Sequence, residues 1–348
     1  MNVLLAASAF VVSLALTRRF CDPTSRFHIL DQPNVRSLHT EPTPRSGGLA
    51  ILAAVCLCVI AAVYWLGRAS NSSDLWIALS VLLVAGVSYI DDRVTLPSGI
   101  RFVVHILAAA LLVSSGFAIS RLELPGLDLS LPYWFGVVFT LVFVVWMLNL
   151  FNFMDGMDGF AGGMAVFGFG VFAAMGWMAD HAAFATINLI VAAAAGGFLV
   201  FNFPPARIFM GDIGSSTLGF LAAVSSLWGA KDGVFPFWIA ILVFSPFIVD
   251  ATVTLLQRLW RHEKIWQGHK THYYQQLVQA GWGHRKTVIR EYAIMLGCSV
   301  TALWGVRSLE KTQIGIIVAW GFFYFIFFRW ATRYAARRRR RSTDVQEP

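Results

Sequence analysis

Eleven stretches of this 348-residue chain are apolar over lengths close to what crossing a bilayer requires, at residues 2–16, 48–67, 75–90, 100–119, 132–150, 160–178, 182–201, 214–230, 234–256, 287–306 and 313–330. A helix of about 20 mostly apolar residues spans the hydrocarbon core, because each backbone N–H and C=O must find its partner inside the segment. A chain divided this way has few folds open to it. The pattern predicts an all-α polytopic membrane protein of about 11 transmembrane helices. Composition points the same way, with 57% hydrophobic and 13% charged residues, where a soluble domain carries about 25% charged.

Charge placement then suggests an orientation. No basic residue precedes the first run, and Arg18 and Arg19 follow it. That argues for a first helix with its N-terminus outside, rather than a cleaved leader. Alternating the loops from there leaves Arg68, Arg121, Lys231, Arg307 and Lys311 on one side and the other 22 of the 27 Lys and Arg on the opposite side. The basic side is expected to be cytoplasmic, and it includes the C-terminus. The chain divides into one integral-membrane domain, 1–330, and a basic tail, 331–348, whose arginine run at 337–341 is expected to anchor at anionic headgroups. The net charge of +8 follows from topology and does not point to nucleic acid. Cys21, Cys56, Cys58 and Cys298 lack metal-type spacing and are expected to act as small hydrophobes without a disulfide. The triplet FNF recurs at 151–153 and 201–203. Two spans separate the copies, so they do not make an inverted repeat.

The polar residues gather on the expected cytoplasmic side. They form DQPNVRSLHTEPTPRSGG at 31–48, DDRVTLPSGIR at 91–101, NLFNFMDGMDGFAGG at 149–163, NFPPARIFMGDIGSS at 202–216 and GHKTHYYQQL at 268–277. Asp91 and Asp92 close the third run, and Arg101 opens the fourth. Acids this close to hydrocarbon are costly unless paired or bound to a cation. The combination suits a phosphate-bearing substrate, with carboxylates near Mg²⁺ and an arginine on phosphate oxygens; a solvated loop is the plainer reading. Asn152, Asp155 and Asp158 are spaced three apart and would share a face on a helical turn. Capping of the sixth run explains one aspartate but not two with two asparagines. Asp212, between Gly211 and Gly214, is a candidate hard-metal ligand or an N-cap. His269 and His272 stand in the most basic loop, with no Glu or Cys nearby to complete a zinc set. Asp250 and His105, the ionisable groups deeper in the runs, are expected to be locally satisfied.

In this order the motifs resemble the polyprenyl-phosphate N-acetylhexosamine-1-phosphate transferases, a glycosyltransferase family 4 group whose members start O-antigen and teichoic acid linkage synthesis and whose relatives include lipid I synthase. The likeness runs from about Asp31 to Leu277, through DxPNxRxxHxxPxPRxGG, the DD pair with its following Arg, NxxNxxDGxDG, PARIFMGDxGS and the histidine loop. Each motif is moderately specific; five in order on one membrane side are highly so. The resemblance implies a Mg²⁺-dependent enzyme (Mn²⁺ as the alternative ion) that moves N-acetylhexosamine 1-phosphate from a UDP-sugar to undecaprenyl phosphate, releasing UMP at the inner membrane of a bacterium. Carried over by motif, Asn152 and Asp212 would hold the metal. Asp91, supported by Asp92, would accept a proton from the lipid phosphate or position it. Arg101 would bind phosphate, Asp155 and Asp158 would order the site and contact nucleotide or metal water, and Asn202, His269 and His272 would hold the nucleotide and sugar. A homodimer is compatible with this reading, and nucleic acid is not an expected partner. The loop HKTH departs from the HxHH or HHH of many members, which leaves the sugar open between GlcNAc and a 6-deoxy N-acetylhexosamine.

Two rivals predict different patterns. A lipid-linked sugar transporter or flippase would place acids at mid-membrane and site residues on both faces. A CDP-alcohol phosphotransferase would follow Asp155-Gly156 with Ala-Arg and two further spaced aspartates, where this chain reads MDGFAGG.

Overall fold

The computed structural model describes residues 1–33, 38–65, 72–264 and 269–344. Asn34 and Arg36 of the first polar motif, Arg68 and Gly268 lie outside the described residues. Among the described residues there are thirteen α-helices: α1 Asn2–Cys21, α2 Gly47–Trp65, α3 Ser72–Val94, α4 Ser98–Leu112, α5 Tyr133–Met154, α6 Phe160–Met178, α7 Ala182–Asn202, α8 Gly211–Lys231, α9 Phe237–Val243, α10 Ser245–Trp260, α11 Tyr273–Leu277, α12 Gly283–Gly305 and α13 Glu310–Asp344.

Among the described residues nine helices are long and apolar enough to cross a membrane, and a bent pair, α9 with α10, makes a tenth candidate. The expected single run at 234–256 is therefore two helices meeting at 80°. Pro246 explains the break, since it lacks an N–H and its ring crowds the Leu242 carbonyl one turn back. The Ser245 hydroxyl donates to that carbonyl at 2.7 Å. The expected run at 287–306 falls within α12, which is a continuous helix. Its first half carries His284, Arg285, Lys286, Arg290 and Glu291, and it is not among the nine. Helix α13 runs unbroken across the boundary drawn at residue 330. The arginines at 337–341 lie on its last turns, with side chains described as far as Arg338.

The stretch between the fourth and fifth apolar runs holds a β-hairpin. Strands β3, Arg121–Leu124, and β4, Leu127–Ser130, pair antiparallel with Leu122 opposite Leu129 and Leu124 opposite Leu127. Pro125 and Gly126 form the turn, with Gly126 at φ +76°, a conformation glycine adopts freely.

Helix α8 is the most enclosed, with 83% of its apolar window buried, and it packs on α2, α3 and α5. Close approach needs small residues. A Cβ on Gly48 of α2 would fall 2.3 Å from the Gly214 Cα. The segment before α2 is strapped across the start of α8. The short strands β1, Leu30–Asp31, and β2, Thr43–Pro44, pair within it. The N–H groups of Gly47 and Gly48 donate to the carbonyls of Phe209 and Met210 at 3.0 and 2.8 Å. These contacts gather the ends of α3 and α5 and the starts of α2 and α8 at one end of the bundle.

Candidate active site

Asp91 and Asp92 arrive on the last turns of α3 and are 6% and 4% exposed. Their side chains do different things. Asp91 accepts from the Leu96 N–H and, at 2.9 Å, from the Arg101 guanidinium. The same guanidinium nitrogen donates to Asp212 at 3.2 Å. Arg101 thus joins the second polar motif to the fourth. Asp92 turns towards α8 and accepts the N–H groups of Asp212 and Ile213 at 3.0 and 3.1 Å. The first N–H groups of a helix have no partner within it, and the positive end of its dipole favours an anion there. Asp92 therefore fixes the start of α8. Gly211 is required beside it: it sits at φ +74°, and a Cβ there would lie 2.3 Å from the Arg45 carbonyl oxygen and 2.9 Å from Asp92 Oδ2.

Asn152, Asp155 and Asp158 do not share a helical face as their spacing suggests. Helix α5 stops at Met154, Asp155 is its C-cap, and Gly159 at φ +74° starts α6. Asn152 Nδ2 donates to Asp212 Oδ1 at 2.9 Å and to the Ser215 hydroxyl at 3.2 Å. Asp158 is not a side-chain cap for α6. It accepts the Ala206 N–H at 3.0 Å and contacts His284 Nδ1 at 2.9 Å. Among the described residues no hydrogen bond or ion pair reaches the Asp155 carboxylate. Burial first, then the charges of Asp212, Asp92 and Asp158, push it well above the usual carboxylate range.

These acids open on a cavity of about 290 Å³ whose lining includes Asp31, Arg45, Asp92, Asp155, Asp158 and Asp212. A neighbouring cavity of about 420 Å³ shares His39, Asp158 and His284 with it and adds Arg285. Asn202 also lines the smaller cavity. Both ends of its amide are engaged by main chain: Oδ1 accepts the Gly159 N–H and Nδ2 donates to the Ile208 carbonyl, each at 2.9 Å. It holds the start of α6 against the stretch that leads into α8.

His269 and His272 do not line either cavity. His272 Nδ1 lies 3.1 Å from Asp250, which also accepts the N–H groups of Tyr273 and Tyr274 at 3.1 and 3.2 Å. Asp250 is thus locally satisfied, as expected of it, and anchors α11. Tyr274 carries the link onward by donating to the Phe153 carbonyl at 3.2 Å. Burial, then His272 and Arg258, lower His269 to about 4, so its imidazole is neutral at pH 7. His105 is only half satisfied: Nδ1 is 3.4 Å from the Asn149 amide, while Nε2 is buried without a partner.

Sequence reading did not single out Arg45, His39 or His284 as site residues. The first two lie in the quoted 31–48 stretch, where Arg45 contacts Asp31 at 3.3 Å and donates to the Asp92 carbonyl. Their signal was present but unranked. His284 had none: it is a lone histidine at a helix start, 126 residues from the Asp158 it contacts.

Fold and site define a polytopic membrane protein with an acid-lined cavity at one end of its bundle. The glycosyl transferase family 4 model matches residues 74–230. The chain is 30% identical over 302 residues to a probable undecaprenyl-phosphate N-acetylglucosaminyl 1-phosphate transferase of Bacillus subtilis, covering 85% of this chain and 83% of that protein. It is 30% identical over 334 residues to the decaprenyl-phosphate N-acetylglucosaminephosphotransferase of Mycobacterium leprae, covering 85% and 83%. It is 28% identical over 279 residues to the phospho-N-acetylmuramoyl-pentapeptide-transferase of Latilactobacillus sakei, covering 75% and 83%. The chain belongs to glycosyl transferase family 4, among the polyprenyl-phosphate N-acetylhexosamine-1-phosphate transferases.

Proposed function

We propose that this protein transfers N-acetylhexosamine 1-phosphate from a UDP-sugar to undecaprenyl phosphate, at the cytoplasmic face of a bacterial inner membrane, as the initiating step of O-antigen or another cell-surface polysaccharide. The observation that carries this reading is the junction at Asp212. It stands at the start of α8, is contacted by Asn152 and Arg101, and shares a cavity with Asp155, whose carboxylate has no partner among the described residues. So much negative charge in one cavity calls for a cation, and the adjoining arginines suit phosphate.

Mg²⁺ fits the donors present. It is usually held through one or two protein oxygens, with waters and substrate phosphates completing the set. Asp212 offers one oxygen, and a half-turn of the Asn152 amide would present Oδ1 where Nδ2 now stands. Among the described residues no group of three or more His, Cys, Asp or Glu forms a closed cage, which suits an ion shared with substrate. The chemistry such an ion supplies, Mn²⁺ included, is neutralisation of diphosphate charge as it builds in the transition state.

An oxygen of the lipid phosphate attacks the sugar-proximal phosphorus, the bond from that phosphorus to the oxygen bridging to UMP breaks, and UMP leaves with the electron pair. A phosphate monoester has its second pKa near 6, so the acceptor is already largely ionised and needs little help from a base. Asp91 orients Arg101 towards the acceptor phosphate, and Arg101 holds its oxygens. Asp92 keeps α8, and with it Asp212, in place. Asp155 and Asp158 border the nucleotide and Asn202 fixes the loop beneath it, while His269 and His272, which line neither cavity, bear on the sugar through the loop that carries them. GlcNAc and a 6-deoxy N-acetylhexosamine are the two candidate sugars. The flippase reading loses its main support in Asp250, whose carboxylate is spent on α11.

The test is to incubate the purified protein with undecaprenyl phosphate, Mg²⁺ and a panel of UDP-sugars and to follow UMP. Release with an N-acetylhexosamine donor is expected, and no UMP with any sugar would overturn the reading.

A further inference from the structure

Helix α13 has 35 residues, about 52 Å at 1.5 Å per residue, against a hydrocarbon core of about 30 Å. Its excess length lies at the C-terminal end, where Arg329, Arg333 and Arg337 recur every fourth residue and so share a face. Between α13 and α10 runs a groove of about 680 Å³, within the range of about 300–1,000 Å³ typical of small-molecule sites. Val249 and Val253 of α10 face Tyr324, Phe325 and Phe328 of α13 along its apolar length. One end is polar, formed by Gln257, Arg329, Thr332 and Arg333. Both arginines are exposed, and among the described residues no carboxylate lies within 4.0 Å of either. The guanidinium of Arg329 sits 5.6 Å from the Phe325 ring centre. An apolar trench ending in two uncompensated arginines matches a phospholipid with an anionic headgroup.

We propose that this groove binds one anionic phospholipid, its phosphate on Arg329 and Arg333 and an acyl chain along Val249, Val253 and Phe328. The site is separate from the transfer site, whose acids and arginine come from α3, α4, α5, α8 and the adjoining turns, none of which lines the groove. The groove does adjoin the histidine loop. The Tyr273 ring stacks on Phe328 at 3.9 Å, and its hydroxyl accepts from Gln257 at 2.7 Å. A bound lipid therefore braces α11, the element that follows His269 and His272, against α13.

The experiment is native mass spectrometry of the full chain in neutral detergent, offered equimolar phosphatidylglycerol and phosphatidylethanolamine with identical chains. One phosphatidylglycerol per chain, retained in preference to phosphatidylethanolamine, is expected. Arg329→Gln with Arg333→Gln should weaken that retention tenfold or more, since each basic residue near a charged lipid contributes a comparable factor. Gly321→Leu tests the groove itself. A Cβ at Gly321 meets nothing within 4 Å, so the larger side chain fits, fills the trench and leaves the arginines in place; the same loss is expected. Equal retention of the two lipids would overturn the proposal. So would wild-type retention by Gly321→Leu, which would mean diffuse attraction to a basic helix. Displacement of phosphatidylglycerol by equimolar undecaprenyl phosphate would also overturn it, by making the groove the acceptor's own. The readout is binding, so it stands or falls independently of the transfer reaction.

Discussion

Asp92→Asn separates positioning from chemistry at the acid pair. In the native protein the two Asp92 oxygens accept the N–H groups of Asp212 and Ile213 at 3.0 and 3.1 Å. An asparagine keeps one acceptor and points its NH₂ at the other N–H. A hydrogen bond to a charged group contributes about 1.5–3 kcal/mol, and loss of a helix cap costs about 0.5–2 kcal/mol. The two ranges describe the same contacts, so the expected destabilisation is about 2 kcal/mol. The catalytic effect is larger than this suggests, because the first residue released is Asp212, the proposed metal ligand. Misplacing a reacting group by about 1 Å costs around 100-fold in rate. The variant should show a lowered unfolding temperature together with turnover reduced by about two orders of magnitude. Tryptophan fluorescence on heating and UMP release, measured on the same preparation, read both quantities. Lost turnover with unchanged stability would refute the reasoning, because the carboxylate would then act on substrate rather than on α8. Wild-type values of both would mean the cap is not needed.

Asp212→Ala removes an oxygen from the proposed metal pair and a partner from Arg101, so UMP release should fall below detection; a near-normal rate would remove Asp212 as a ligand. His269 titrates at about 4 in the fold against 6.5 for the free side chain. The unfolded chain therefore binds the proton first, and stability is lost as pH falls from about 6.5 towards 4. His269→Gln should flatten that part of the stability–pH curve, and an unchanged slope would contradict the assignment. In a variant lacking the native cysteines, a cysteine at position 155 should react with an impermeant maleimide only after the membrane is opened, and one at position 128 on β4 of the hairpin from outside; the reverse would invert the topology.

The bundle was legible in the sequence because lipid leaves a helix few alternatives: all but one of the apolar runs became a span candidate, and the expected boundaries are mostly within a few residues of the helix ends. Hydropathy is blind to local breaks, which is why Pro246 split one run without changing its average. It also took α12 for a full span, although Arg290 and Glu291 lie inside the run and His284, Arg285 and Lys286 extend the same helix at its polar end. The motifs named the Asp92, Asp155, Asp158 and Asp212 carboxylates that line one cavity, but residue type does not reveal what each oxygen faces. Asp92 and Asn202 read as site residues and are held by main-chain contacts. His284 read as nothing, because only the fold brings residue 284 to Asp158.

The central claim is that the sugar moves together with its phosphate. The most direct measurement uses UDP-N-acetylhexosamine labelled with ³²P in the sugar-proximal phosphate, with undecaprenyl phosphate as acceptor, followed by separation of lipid from nucleotide. The account predicts label in a lipid diphosphate sugar and unlabelled UMP in the aqueous phase. Label recovered as UDP, beside an unlabelled lipid monophosphate sugar, would mean that the glycosidic bond is the one that breaks, and would contradict the account.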